Sequence, residues 1–149
     1  MKLIKSICRD VSMQLNRGYS ERVYQEALTV SFYLRRIHYL KELNIPVHLM
    51  GVQIGEMRAD IVLPESKTVI ECKAIRSNLD PNHLPQLIKY MRALRYPRGL
   101  LVNFNQDISK DPVEFITIES KNEAPVNPDQ RPQETFTVTT SLQTFDLKI

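Results

Sequence analysis

Apolar residues at helical spacing predict two helices at the start of the chain. The first has its apolar positions at Ile4, Ile7, Cys8, Val11 and Leu15. It ends at Asn16-Arg17-Gly18, because glycine is common just beyond the C-terminus of a helix. A second, longer helix is predicted from Ser20 to the residues before Pro46, since the residue that precedes a proline avoids helical geometry. Its predicted buried stripe is Val23, Ala27, Val30, Leu34 and Ile37.

The pattern then changes to short β-strands, predicted at residues 47–50, 57–63 and 68–73. Gly51 and Gly55 separate the first two strands, and residues 64–67 are typical of a hairpin turn. A third helix has its regular part from Leu84 and keeps its apolar spacing until Tyr96-Pro97.

Two further strands are predicted at residues 99–104 and 113–118. The first of them is a continuous apolar run, which suits a strand covered on both faces. Residues 120–135 are polar and rich in proline and read as a linker, and residues 136–147 alternate weakly, as an added edge strand would. The sequence therefore predicts a domain at 1–119 followed by a polar tail at 120–149.

Composition narrows the class of protein. The 149 residues are 42% hydrophobic and 25% charged, which is ordinary for one globular domain. The charged N-terminus does not read as a signal peptide, no apolar run approaches the roughly 20 residues of a membrane helix, and two cysteines are too few for a disulfide scaffold. We expect an intracellular protein, cytoplasmic or nuclear, that is neither secreted nor associated with a membrane.

The charge is distributed unevenly along the chain. Residues 1–119 hold 17 of the 20 Lys and Arg residues and 13 of the 17 Asp and Glu residues, which leaves a net charge of +4. This excess permits a polyanionic partner but does not require one.

Two acids occupy unusual places on the predicted hairpin. Symmetric closure of the turn puts Asp60 opposite Glu71 and Arg58 opposite Lys73, and all four side chains then share one face. The opposite face, predicted to be the core face, carries Ala59, Ile61, Leu63, Ile70 and Cys72. Directly opposed carboxylates destabilise a sheet, and a cation such as Mg²⁺ would offset their repulsion. The alternative is a solvated face on which Arg58 and Lys73 neutralise the acids diagonally.

Two further pairs of polar residues each share one face of a predicted helix. Gln86 and Tyr90 are four residues apart on the third helix, and Glu21 and Tyr24 are three apart on the second. Each has an ordinary explanation: a helix flank for the first pair, a first-turn acid favoured by the helix dipole for Glu21, and a packing aromatic for Tyr24.

Four blocks of sequence, taken in order, resemble the GxxExxY family of the PD-(D/E)XK nuclease superfamily. They are Gly18-x-x-Glu21-x-x-Tyr24, Arg58-Ala59-Asp60-Ile61-Val62 with Val69-Ile70-Glu71-Cys72-Lys73-Ala74, Leu84-Pro85-Gln86-Leu87-Ile88-Lys89-Tyr90, and Gly99-Leu100-Leu101-Val102-Asn103-Phe104. The chain departs from the family at Asn105, where a glycine often stands. The residues after about Ser120 have no counterpart.

The resemblance implies an α/β (α+β) fold with a restriction-endonuclease-like core, a mixed central β-sheet flanked by helices. It implies that Asp60, Glu71 and Lys73 are catalytic. It also implies that Glu21, Asp60, Glu71 and the backbone carbonyl of Cys72 bind the metal. Substrate is expected to contact Gln86, Tyr90, Arg58 and Tyr24, with Arg58 added only from its register.

The expected function is a nuclease that uses Mg²⁺ or Mn²⁺ to hydrolyse phosphodiester bonds, with DNA the favoured nucleic acid. One alternative is a non-catalytic nucleic-acid or protein-binding module that retains the nuclease fold. Another is an unrelated α/β domain with a structural role. Because the chain has no helicase, ATPase or sequence-reading motif, a protein partner for substrate delivery is also expected. The oligomeric state is left open.

Overall fold

The structure of the protein is a computed structural model that describes residues 1–121 and 134–149. The elements in these ranges, in chain order, are α1 (Lys2–Leu15), α2 (Glu21–Leu34), β1 (Leu40–Leu49), β2 (Val52–Leu63), β3 (Thr68–Lys73), α3 (Leu84–Leu94), β4 (Arg98–Phe104), β5 (Val113–Lys121), β6 (Thr135–Thr139) and β7 (Thr144–Lys148). A single 3-10 turn, Pro81–His83, leads into α3.

The seven strands form one sheet in the order of the chain, from β1 to β7. Among these neighbours only β3 and β4 are parallel. The connection through α3 returns the chain to the end of the sheet where β3 begins, so β4 runs in the same direction. The other neighbouring strands are antiparallel. The structure therefore confirms the predicted class, a mixed sheet with flanking helices.

Helices cover both faces of the sheet. Residues of α3 pack with Val69 and Leu101 on one face, whereas residues of α1 and α2 pack with Ile70 and Val102 on the other. The helix α3 lies so close to β4 that a Cβ at Gly99 would come within 2.6 Å of the Met91 sulfur. Glycine at this position therefore permits the close contact that brings α3 against the central strands.

The predicted second helix was too long, and its buried stripe was wrong. The helix ends at Leu34, and the chain from Leu40 pairs with β2 as a strand. The predicted stripe faces solvent at Val30, which is 56% exposed, while the buried apolar residues are Tyr24, Leu28 and Phe32. Apolar residues surround most of this helix, so packing against the sheet, rather than periodicity, decides which side is buried.

The end of the chain also differs from its predicted pattern. Ser120 and Lys121 belong to β5 and Thr135 to β6, so the ends of the predicted linker are strand. The rest of that linker, residues 122–133, lies outside the described residues. Within residues 136–147, where one edge strand was predicted, the chain forms most of the β6–β7 hairpin, and β7 is the edge.

The register predicted for the β2–β3 hairpin is confirmed where the two strands pair. Ile61 faces Ile70, Val62 faces Val69 and Leu63 faces Thr68. The paired region ends there, so Asp60 and Glu71 lie just beyond the last pair, and Arg58 pairs with Asn44 of β1 instead of with Lys73.

The predicted core face of this hairpin was correct except at Ala59. Four of its residues pack against α1 and α2: Ile61, Leu63, Ile70 and Cys72. Ala59 instead packs on the α3 face with Val62, so the alternation along β2 breaks at Asp60. In β1, Glu42 lies between the partners of Ile61 and Ala59 and has φ 48°, in the left-handed region, which marks the local irregularity. The face opposite the predicted core is partly buried, because α3 covers it at Val62 and Val69, while Arg58 on β2 stays exposed.

Candidate active site

The site begins where the pairing of β2 with β3 stops. Asp60 of β2 turns its carboxylate onto β3, where Oδ2 accepts the backbone N–H of Cys72 at 2.8 Å. Glu71 and Lys73 follow on β3 at alternate positions, so their side chains lie on one face of the strand. Two of the three predicted catalytic residues, Glu71 and Lys73, therefore belong to β3. The third, Asp60, is held to the same strand by its hydrogen bond from Cys72.

Glu71 is a buried carboxylate whose hydrogen bonds are incomplete. Its exposed fraction is 2%, and its Oε1 accepts a hydrogen bond from the Lys73 ammonium at 3.0 Å. The second oxygen, Oε2, is buried and has no partner among the described residues. Burial raises the pKa of Glu71 to about 7, helped by the nearby charge of Asp60 and opposed by Lys73. A buried carboxylate oxygen without a partner is unfavourable, so Oε2 lies where a cation would be stabilised.

The other two acids belong to the same electrostatic cluster. Burial raises the pKa of Asp60, although the Cys72 N–H and the charge of Lys73 oppose the shift. Burial also raises the pKa of Glu21, at the start of α2, with Asp60 adding to the rise. Within residues 1–121 and 134–149, however, no three His, Cys, Asp or Glu residues are placed to hold one metal ion. Asp60 and Glu71 thus form the centre of the cluster, with Glu21 beside it.

These donors fit a hard divalent cation. Carboxylate oxygens are the protein ligands that Mg²⁺ and Mn²⁺ prefer, and the unpartnered Oε2 of Glu71 is available to one. The thiol of Cys72 is excluded as a ligand, because it is fully buried on the α1–α2 side and its pKa is raised well above the ordinary value by burial. Only the backbone of Cys72 reaches the site, as its N–H bond to Asp60 shows.

Lys73 keeps its proton in this environment. Burial alone would lower its pKa, but the carboxylate of Glu71, with smaller effects from Glu21 and Asp60, raises it above the ordinary value. Its side chain is 22% exposed, against 2% for Glu71, so the ammonium group reaches from the buried acid toward solvent. A charged donor in this position is suited to a negatively charged substrate.

The predicted pair on α3 is brought to the same place. The side-chain amide of Gln86 donates to the Tyr90 hydroxyl at 2.7 Å. Burial raises the pKa of Tyr90, and the charges of Glu71 and Asp60 raise it further, which places this hydroxyl beside the acid cluster. Gln86 is exposed, so the pair extends from the acids to the surface.

The two remaining predicted substrate contacts have different positions. Arg58 is exposed on β2, and its charge lowers the pKa of Asp60, so it borders the site. Tyr24 is only 1% exposed, with its ring stacked on Phe104 at 4.4 Å and its hydroxyl donating to the Asn16 carbonyl at 2.7 Å. The structure therefore gives Tyr24 a packing role and does not direct its hydroxyl to the acids.

Two buried amides that support the site were not predicted. Gln25 is 7% exposed and lies beside the Asp60 carboxylate, where its side chain opposes the rise in the pKa of Asp60. Asn103 is fully buried, accepting the N–H of Ile75 at 3.0 Å and donating to the carbonyls of Ile75 and Ser77. It thereby fixes the chain that leaves β3 just after Lys73. Gln25 follows Tyr24 directly, so a correctly placed buried stripe on α2 would have identified it.

The fold and the acid–lysine cluster together define a nuclease-like class of protein, and comparison with protein families gives the same result. A model described as the PD-(D/E)XK nuclease superfamily matches residues 1–115, which include every site residue described above. The chain belongs to the PD-(D/E)XK nuclease superfamily. Members are generally nucleases and usually use divalent metals.

The other comparisons add no relative. No curated protein matches the chain, and no solved structure does. Among the described residues, no helix is both long enough and apolar enough to cross a membrane.

Proposed function

We propose that the protein is a nuclease that depends on Mg²⁺ or Mn²⁺ and hydrolyses phosphodiester bonds, with DNA as its favoured substrate. The observation that carries the proposal is the buried Glu71 carboxylate, with one oxygen unpartnered among the described residues and its neighbours Asp60 and Lys73. A purely structural sheet gains nothing from two carboxylates placed close together with raised pKa values. Such groups are typical of functional sites.

The residues have distinct roles in the proposed reaction. Asp60 and Glu71 would hold the ion, with the Cys72 carbonyl and Glu21 as further ligands. A divalent ion bound there would polarise the scissile phosphate and lower the pKa of a bound water. The protonated Lys73 would donate to a phosphate oxygen and stabilise the negative charge that develops in the transition state. Gln86, Tyr90 and Arg58 would position the strand.

Within the superfamily, we place the chain in the GxxExxY family. The motif Gly18-x-x-Glu21-x-x-Tyr24 supports this, because its acid lies at the start of α2 and adds to the raised pKa of Glu71. The net charge of +4 over residues 1–119 supports a nucleic-acid substrate. We further propose that a protein partner delivers the substrate.

The test is cleavage by the purified protein with Mg²⁺ or Mn²⁺, assayed on single- and double-stranded DNA and on RNA. We expect DNA to be cut only when a divalent metal is present, and Asp60→Asn to abolish the cutting. The matched control is Asp146→Asn, which makes the same chemical change on the exposed strand β7. Intact DNA and RNA under all conditions would refute the proposal, and equal loss in the two variants would remove Asp60 from the mechanism.

One observation favours the alternative of a non-catalytic module, namely that the described residues contain no three-residue metal site. That module would bind nucleic acid or a protein, and Mg²⁺ or Mn²⁺ would not change its melting temperature. An active site should instead be stabilised by the metal, and should lose that response in Asp60→Asn.

A further inference from the structure

A second charged region lies at the same end of the sheet as the acid–lysine cluster, which consists of Asp60, Glu71 and Lys73. It is a cavity of about 550 Å³ between α1, the β4–β5 loop, the start of β5 and the β6–β7 turn. We call it the basic groove and define it by Lys5, Arg9, Asn105, Lys110, Phe115 and Ser141, which all line it. None of these residues belongs to the acid–lysine cluster described above.

Two cations of α1 share one aromatic ring in the basic groove. The ammonium of Lys5 lies 5.4 Å from the centre of the Phe115 ring, and the guanidinium carbon of Arg9 lies 5.1 Å from it. The two residues are one helical turn apart, where like charges repel. Burial lowers the pKa of Lys5, and the charge of Arg9 lowers it further. Among the described residues no carboxylate lies within 4.0 Å of either cation, so neither of them is held in an ion pair.

The rest of the groove supplies a third cation, neutral donors and two acids. Lys110 donates to the Arg76 carbonyl at 2.9 Å, which ties the groove to the chain that leaves β3. The acids are Asp111 and Glu114, and Glu114 already accepts the N–H of Leu79 at 2.8 Å. Asp111 belongs to the β4–β5 loop and Glu114 to β5, whereas Lys5 and Arg9 belong to α1, so the positive charge of the groove is concentrated on its α1 side.

The position of the groove relates it to the catalytic cluster. Lys73 pairs with Asn103 of β4, and Asn103 pairs with Glu114 of β5, which lines the groove. Since neighbouring strands are about 4.8 Å apart, the backbone of Glu114, at the margin of the groove, lies roughly 10 Å from that of Lys73 across the sheet. A duplex strand advances about 3.4 Å along its axis per nucleotide, so this distance corresponds to about three nucleotides.

We propose that the basic groove binds a backbone phosphate of the nucleic-acid strand that occupies the active site, with Lys5 and Arg9 as its contacts. The proposal rests on the proposed nuclease function for its ligand. It adds a second point of attachment, which fixes the direction in which the strand leaves the catalytic cluster. Contacts to phosphate set the register of a strand without reading its sequence, so the groove would contribute affinity and not base preference.

The test measures binding separately from cleavage. A short fluorescent single-stranded DNA is titrated with the full chain in EDTA, over a series of salt concentrations, and its anisotropy is recorded. The double variant Lys5→Gln with Arg9→Gln is compared with Lys89→Gln and Lys148→Gln together, a control that removes two exposed cations outside the groove. We expect only the groove variant to bind about tenfold more weakly or worse, and to reduce the slope of log K against log salt by about 1.4.

A second variant guards against a fold defect, because Lys5 and Arg9 also pack on Phe115. Lys5→Arg with Arg9→Lys keeps both charges and should retain wild-type binding. Equal weakening in the groove variant and the control would overturn the proposal, and so would loss of binding in the charge-preserving variant. If inorganic phosphate protects the protein against heat as well as the DNA does, and the DNA adds nothing, the ligand is a free phosphate and not a strand, which also overturns it.

The outcome is distinguishable from that of the proposed nuclease. The wild type could bind DNA without cutting it, and the groove variant alone could bind that DNA more weakly. This result would support the groove and refute the nuclease. Metal-dependent cutting by a wild type whose binding is insensitive to Lys5 and Arg9 would refute the groove alone.

Discussion

Two acid–lysine pairs lie at different places on the sheet and behave in opposite ways. In β3, Lys73 contacts Glu71 at 3.0 Å, and across β5 and β7, Lys121 contacts Asp146 at 2.8 Å. The pKa of Glu71 is raised to about 7 by burial and by Asp60, whereas the pKa of Asp146 is lowered by its hydrogen bonds from Lys121 and Thr137. The contact with lysine is therefore not what distinguishes the two acids.

Solvent and neighbouring charge make the difference. The side chain of Asp146 is 47% exposed, and the Thr137 hydroxyl and the Lys121 ammonium both bond to it. Glu71 is 2% exposed and faces two other acids, and one of its oxygens has no partner among the described residues. An acid–lysine pair on a surface is a weak stabilising feature, whereas a buried one among like charges is suited to binding a cation.

The strongest way to separate the two pairs is to remove each lysine. We expect Lys73→Met to reduce the rate of DNA cleavage by about 10²–10³-fold, as for other donors that stabilise charge in a transition state. The matched change Lys121→Met should leave the rate unchanged, because that lysine serves only an exposed ion pair. Single-turnover cleavage assays measure both. A comparable loss in Lys121→Met would show that overall charge, and not the site, sets the rate.

The second test uses the pH dependence of stability in the metal-free protein. The pKa of Glu71 rises from 4.5 to about 7 on folding, so the folded state binds this proton more tightly than the unfolded state does. Its contribution to stability is therefore present at low pH and lost as the pH rises from about 4.5 to 7, by up to about 3 kcal/mol. Glu71→Gln should remove most of this loss and be the more stable protein above pH 7.

Urea unfolding in EDTA at a series of pH values measures this effect. The comparison of wild type with Glu71→Gln isolates Glu71, because Asp60 and Glu21 also have raised pKa values and contribute in the same direction in both proteins. If the two free energies of unfolding ran parallel across this range of pH, the Glu71 carboxylate would not be buried as the structure has it.

The third test adds the metal. We expect Mg²⁺ or Mn²⁺ at about 100 times its Kd to stabilise the wild type by about 2.7 kcal/mol, and Asp60→Asn to lose the response. The effect should grow as the pH rises through 7, because the ion needs Glu71 deprotonated. Thermal unfolding with and without the metal measures it, and Asp146→Asn is the control. Equal stabilisation of both variants would place the ion elsewhere.

The part of the site predictable from sequence is the part set by local geometry. A symmetric turn and the alternation of side chains along strands determine the register of the β2–β3 hairpin, and the structure has that register from Ile61 to Leu63. The spacing of Gln86 and Tyr90 on one helix likewise predicts that they meet, and they share a hydrogen bond.

The rest depends on contacts between distant segments. A solvated charged face was an open alternative for the hairpin. Glu71 is instead buried, on a strand against which both α2 and α3 pack. The end of α2 was not predicted correctly because an apolar residue such as Leu40 suits a helix as well as a strand. Its pairing with Val62 makes it part of a strand. Gln25 was missed for the same reason, since the sheet selects the buried side of α2.

The smallest expected effect belongs to the exposed pair. The pKa of Asp146 is lowered in the folded state, so its contribution to stability is present at neutral pH and is lost as the pH falls below the ordinary value of 3.8. Asp146→Asn should therefore destabilise the protein slightly at pH 7, with the difference from wild type disappearing in acid. This is opposite in sign to the effect of Glu71→Gln.

A double-mutant cycle of Asp146→Asn with Lys121→Met, followed by urea unfolding, measures the coupling of the exposed pair. A coupling as large as the Glu71 effect would mean that solvent does not screen this pair, and that burial is not what separates the two.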